Sequence, residues 1–137
     1  MGTLHAPAAL REQLEVIGSR KESKQGTFLF RRGDAVAGIY LISAGTIRLG
    51  LEWEAPAFPA RKLACGAVIG LPATLSDSTY SLTAQVIEDA QLVFVPRERL
   101  IQLLRDKPSL CFETMNILTE ELVQTRAALE RVRKPAS

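Results

Sequence analysis

Residues 38–49, GIYLISAGTIRL, and residues 81–96, SLTAQVIEDAQLVFVP, decide the architecture. Both are rich in β-branched and aromatic side chains broken up by small or polar ones, which fits a pleated, half-buried surface. Gly45 interrupts the first segment and the Glu88-Asp89 pair interrupts the second, so each predicts two short strands joined by a turn. Working outward, TFLF at 27–30, Arg61 to Leu63 and Ala67 to Ile69 share the same texture. The breaks between them fall at Gly26, Gly33-Asp34, EAPAFPA (54–60) and Cys65-Gly66. Seven or eight short strands with regular turns indicate a mainly β fold, an antiparallel sandwich or barrel. The polar stretch SRKESKQG, residues 19–26, reads as a connection.

Helical periods flank this core. AALREQLEVI, residues 8–17, places Leu10, Leu14 and Ile17 on one face, with Gly18 as a stop. After Pro96, ERLIQLLRDK runs to Pro108, which ends that helix or begins the next. From Ser109 to about Arg133 there is no glycine or proline. Met115, Leu118, Leu122, Thr125, Leu129 and Val132 follow one another in steps of three and four, an a/d seam with one polar member. That is more apolar seam than a small barrel can cover, so a homodimer through this helix is expected. The chain divides into a helical segment (1–18), a barrel with its following short helix (19–108), and a dimerisation helix with a frayed tail (109–137).

A chain of 137 residues suits one domain, and a formal net charge of +2 is too slight to imply an anionic partner. No apolar run approaches the roughly 18–20 residues that span a bilayer, and no secretory leader is visible. A cytoplasmic protein without a membrane partner is expected. Cys65, Cys111 and the single histidine, His5, cannot build an all-cysteine or histidine-rich metal site. No nucleophile–base pair or paired carboxylate stands at a meaningful spacing. The expectation is a protein that is not an enzyme and holds no metal or cofactor.

The order Gly33-Asp34, GIYLISAGTIRL, ACGAVIG, YSLTAQVIEDAQLVFVPRERL resembles the cyclic nucleotide-binding domain of the Crp–Fnr (catabolite activator-like) family, over about residues 20–133. The resemblance implies a jelly roll (double-stranded β-helix) with an N-terminal helix and a long C-terminal dimerisation helix. It also implies a phosphate-binding cassette from Gly70 to about Thr83. There the family has a glutamate for the ribose where this chain has Leu71. It has an arginine for the cyclic phosphate where this chain has Tyr80, allowing for a loop one residue shorter. Pro72 removes a backbone N–H from the start of the cassette helix.

The ligand contacts carried over are Gly70, Leu71, Ala73, Tyr80, Ser81 and Thr83, with Thr125 reaching across the dimer. Losing one partner of a buried charged hydrogen bond typically costs about 2–5 kcal/mol. Cyclic nucleotide is therefore disfavoured unless Arg48, Arg61 or Lys62 reaches in. The pocket is expected to survive as a shape lined by Val68, Ile69, Leu71 and Tyr80, open to another small molecule. The function implied is a non-catalytic sensory or regulatory module with a degenerate cassette, the effector domain of a transcription regulator. A ligand-independent dimeric scaffold, with contacts around Trp53 and Phe58, is the alternative. A haem sensor using His5, Cys65 or Cys111 ranks below both. The chain shows no helix-turn-helix segment before Ser137, so direct DNA binding by this chain is not expected.

Overall fold

A computed structural model describes residues 5–52 and 59–119. The element order is α1 (Ala8–Ile17), β1 (Ser19–Ser23), β2 (Phe28–Phe30), β3 (Gly38–Gly50), β4 (Arg61–Leu63), β5 (Val68–Ile69), α2 (Leu71–Ser76), β6 (Thr83–Pro96) and α3 (Arg97–Asp106). Residues 109–119 are also helical.

β3 and β6 form the frame. They pair antiparallel from Gly38 opposite Pro96 to Gly50 opposite Thr83. β4 and β5 add to β3, while β1 and β2 add to β6. The expected breaks at Gly45 and Glu88-Asp89 are not chain reversals, because each strand runs through. The pairing absorbs them as register shifts between Ile42 and Ile47, with Gly45 at φ +90°. A bulge of this kind bends a strand and increases its twist without ending it. Four expected short strands are thus two long ones, giving six strands among the described residues. The result is the mainly β antiparallel jelly roll with flanking helices that the sequence implies.

β1 is the strand that polarity hid. Ser19–Ser23 lies at the sheet edge opposite residues 90–94 and is almost wholly exposed. Its charged side chains suit an edge, where they discourage pairing with another chain.

Inside, Ile39, Leu41, Ile42 and Ile47 of β3 meet Val86, Leu92 and Val95 of β6, all fully buried. Burying each such side chain stabilises the fold by about 1.5–3 kcal/mol. Leu10 and Leu14 of α1 and Leu100 and Leu103 of α3 join the same core. In the helical residues 109–119, Leu110, Thr114 and Ile117 are buried, one stripe at helical spacing. Two members of the expected seam fall here. Leu118 packs against the domain's own core, whereas Met115 is 57% exposed and Phe112 nearby is 72% exposed. Leu122, Thr125, Leu129 and Val132 lie outside the described residues, as do Trp53 and Phe58.

Candidate functional site

The cassette begins at Gly70, whose φ of +87° is the left-handed conformation that opens α2. Gly70 is also a close approach. A Cβ there would stand 3.2 Å from both the Gly38 carbonyl oxygen and Cε1 of Tyr80. α2 is held by the Thr74 hydroxyl, which donates to the Gly70 carbonyl at 2.7 Å, and it ends at Asp77 with φ +54°. Pro72 falls in its first turn.

Leu71 is 1% exposed and belongs to the hydrophobic core. An apolar side chain at this point of the helix gains more from the core than from the pocket, so Leu71 does not border the cassette cavity. Val68 and Ile69 are likewise core residues on β5. The cavity is instead bordered by Phe30, Leu49, Gly70, Pro72, Ala73, Tyr80, Ser81 and Leu82, none of them charged. Its volume is about 20 Å³, room for roughly one water molecule.

Tyr80 is what fills it. The side chain is buried, with its ring stacked on Phe30 at a centroid distance of 3.8 Å and 10° from parallel. Its hydroxyl donates to the Gly38 carbonyl at 2.7 Å. It accepts from the backbone N–H groups of Ala37 and Gly38 at 3.2 and 3.3 Å. Gly38 and Pro96 form a non-hydrogen-bonded pair, flanked by the bond from the Arg97 N–H to the Ala37 carbonyl, so the N–H and C=O of Gly38 face away from β6 and the tyrosine hydroxyl meets both. Expected at the family's arginine position, Tyr80 instead turns its hydroxyl inward to the backbone. Phe30, Ala37 and Gly38 were not foreseen as site residues.

The remaining cassette hydroxyls diverge. Ser81 is exposed, whereas Thr83 is buried, accepting from the Arg32 N–H at 3.0 Å and donating to Glu52 at 3.1 Å. Ala73 borders the cavity beside Gly70. The cations proposed to reach in do not border it. Arg48 donates to the Leu51 carbonyl at 2.8 Å, and Arg61 and Lys62 sit on β4. Arg97, which the sequence reading did not single out, ties the cassette helix to α3. Its Nε donates to the Thr74 carbonyl at 2.8 Å and lies 3.6 Å from Asp77.

Outside Tyr80 a broad cleft of about 610 Å³ is bordered by Arg32, Gly33, Glu52, Thr79, Tyr80 and Ser81. Beyond Phe30, Tyr40 sits in contact with Phe94, and burial first, then neighbouring Tyr80, holds its phenol above the ordinary value of 10.0. His5 is pinned by its ring: Nε2 donates to the Cys65 carbonyl at 3.0 Å. Among the described residues no three histidine, cysteine or acidic side chains gather as a metal site.

The model of the cyclic nucleotide-binding domain family matches residues 20–107. The Anaerobic regulatory protein of Bacillus subtilis (strain 168) is 29% identical over 115 residues, covering 82% of this chain and 48% of that protein. The chain therefore spans about half the length of this relative. Thermus thermophilus Catabolite Activator Protein has the same fold, with a TM-score of 0.76 at 22% identity over 92% of this chain and 60% of that one. So does oxidized CprK in complex with o-chlorophenolacetic acid, with a TM-score of 0.72 at 14% identity over 94% and 54%.

Proposed function

The chain belongs to the cyclic nucleotide-binding domain family, and from that premise we propose that it is a non-catalytic regulatory domain whose nucleotide cassette is closed by its own Tyr80. The observation that carries the reading is the cassette cavity, about 20 Å³, with Tyr80 stacked on Phe30 and bonded to Gly38. A cyclic nucleotide needs a cation for its phosphate and a partner for its ribose. Here an aromatic ring and an apolar core residue, Leu71, take those places. The matched Anaerobic regulatory protein supports a regulatory role, and we place this domain as the effector part of a longer cytoplasmic transcription regulator. CprK, in complex with o-chlorophenolacetic acid, is a case of this fold with a ligand that is not a nucleotide. The domain acts as a homodimer through the C-terminal helix, whose exposed Phe112 and Met115 supply apolar surface for a second copy.

The same small cavity and exposed apolar residues also favour a second reading, a dimeric scaffold that senses nothing. Thermal melting with and without cyclic AMP or cyclic GMP tests the first point shared by both. A ligand at a hundred times its dissociation constant adds about 2.7 kcal/mol to stability. No shift is expected with either nucleotide, and a rise of several degrees would overturn the reading.

A further inference from the structure

We propose that the cassette is a phenol site, occupied at rest by Tyr80 of the chain itself, and that the effector it takes is a small neutral phenol that enters as Tyr80 swings out. This rests on the reading of the cassette given above and adds the class of ligand.

The polar end of the slot is specific. It presents two donors, the N–H groups of Ala37 and Gly38, and one acceptor, the Gly38 carbonyl, all on one hydroxyl. A phenolic hydroxyl has one proton to give and lone pairs to accept, so it satisfies all three at once. A carboxylate or phosphate would satisfy the N–H groups while setting its charge against the Gly38 oxygen, with no proton to offer. The slot selects for a neutral hydroxyl.

The apolar end is the shape of one ring. Phe30 stacks on one face, and Gly70, with no Cβ, lets the ring edge come close. Among the described residues, no charged one borders the cavity.

Tyr80 is also placed to leave. It and Ser81 border both the inner cavity and the outer cleft, so the residue stands between them. Its backbone is anchored independently: its carbonyl accepts from Gly33 at 2.8 Å and its N–H donates to Asp34 at 3.0 Å. Side-chain rotation alone can carry the ring into the cleft. The slot is close to α3 as well, since the carbonyl of Ala37 accepts from the Arg97 N–H at 3.1 Å. An occupant exchanged at Ala37 and Gly38 therefore acts one peptide away from the head of that helix.

p-Cresol, the tyrosine side chain as a free molecule, is the probe, with toluene as the same shape lacking the hydroxyl and cyclic AMP as a control. Calorimetric titrations of wild type, Tyr80→Phe and Tyr80→Ala should show p-cresol affinity rising in that order. The rise between the first and last should be at least about tenfold, because the resident ring competes for the slot. Tyr80→Ala should bind toluene at least about tenfold more weakly than p-cresol, the hydroxyl being the difference. If Tyr80→Ala does not fold, wild type against Tyr80→Phe carries the same test, since losing the hydroxyl weakens the resident and must raise p-cresol affinity. Equal affinities across the series, equal binding of toluene, or no p-cresol binding to any folded variant at about 10 mM overturns the proposal and leaves the cassette reading standing. Binding of cyclic AMP to the wild type overturns the cassette reading instead.

Discussion

The ring of Tyr80 lies on the ring of Phe30, centroids 3.8 Å apart and planes 10° from parallel. The two residues are 50 positions apart in the chain, and both border the small cavity beside Gly70. Phe30 ends its strand against β6, while Tyr80 comes from the loop that leads into β6. Because the tyrosine hydroxyl is spent on Gly38, stacking and hydrogen bonding hold the ring in one place together.

Tyr80→Phe separates those two contributions. The ring still stacks and fills the cavity, but the Gly38 carbonyl loses its donor and two N–H groups lose their acceptor. Leaving buried polar groups unsatisfied costs about 1–3 kcal/mol, so denaturant melts should show that loss. Tyr80→Ala removes the ring as well and should cost about 3–5 kcal/mol. Equal stability of wild type and Tyr80→Phe would mean the hydroxyl bonds contribute nothing.

Tyr40 gives the fold an alkaline limit. Its phenol is held above 10.0 by burial and by Tyr80, so the folded state keeps that proton more tightly than the unfolded chain does. The resulting stability is complete below pH 10.0 and is lost as pH rises through the folded value. Urea midpoints measured across that range should fall more steeply for wild type than for Tyr40→Phe. Parallel curves would show that Tyr40 does not supply the linkage.

Arg97 joins α2 to α3 through two contacts of unequal worth. The bond to the Thr74 carbonyl serves a buried residue, whereas Asp77 is largely exposed, and an exposed ion pair contributes little. Arg97→Ala should therefore cost about 1–2 kcal/mol and speed amide exchange in residues 71–76. Asp77→Asn, which tolerates the left-handed backbone there, should change stability by less than about 0.5 kcal/mol. The reverse order, with Asp77 the costlier change, would contradict this assignment.

How far the fold was legible depended on which side chains carried its signals. The apolar texture of 38–49 and 81–96 located the frame, because half-buried strands must expose and bury by turns. Gly45 and Glu88-Asp89 misled because a glycine or an acidic pair serves a bulge as well as a turn. β1 went unseen because an edge strand carries no apolar pattern. The turn at Gly70 was legible as a position, and a short helix follows it. What Tyr80 does there was not, since its partners Phe30, Ala37 and Gly38 lie 50, 43 and 42 residues away and the pairing of both β2 and β3 with β6 brings them together.

Met115 offers a test of association that spares the fold. It is 57% exposed beside Phe112 at 72%, so Met115→Asp places no charge inside the domain. Sedimentation should find wild type dimeric at tens of micromolar (order of magnitude from typical affinities) and Met115→Asp shifted to monomer with an unchanged melt. Leu110→Asp, at a buried position, should instead unfold the domain. A wild type that is monomeric at that concentration would refute the dimer.

Calorimetric titration with cyclic AMP and cyclic GMP, run on wild type and on the Leu71→Glu, Tyr80→Arg double variant, tests most directly whether Tyr80 closes this cassette. The wild type should give no binding heat at millimolar nucleotide, since the ring occupies the slot and no cation borders it. The double variant removes the plug and sets a cation at the cavity, so it should bind measurably even though a glutamate at buried position 71 lowers its stability. Micromolar binding of either nucleotide by the wild type would contradict the account.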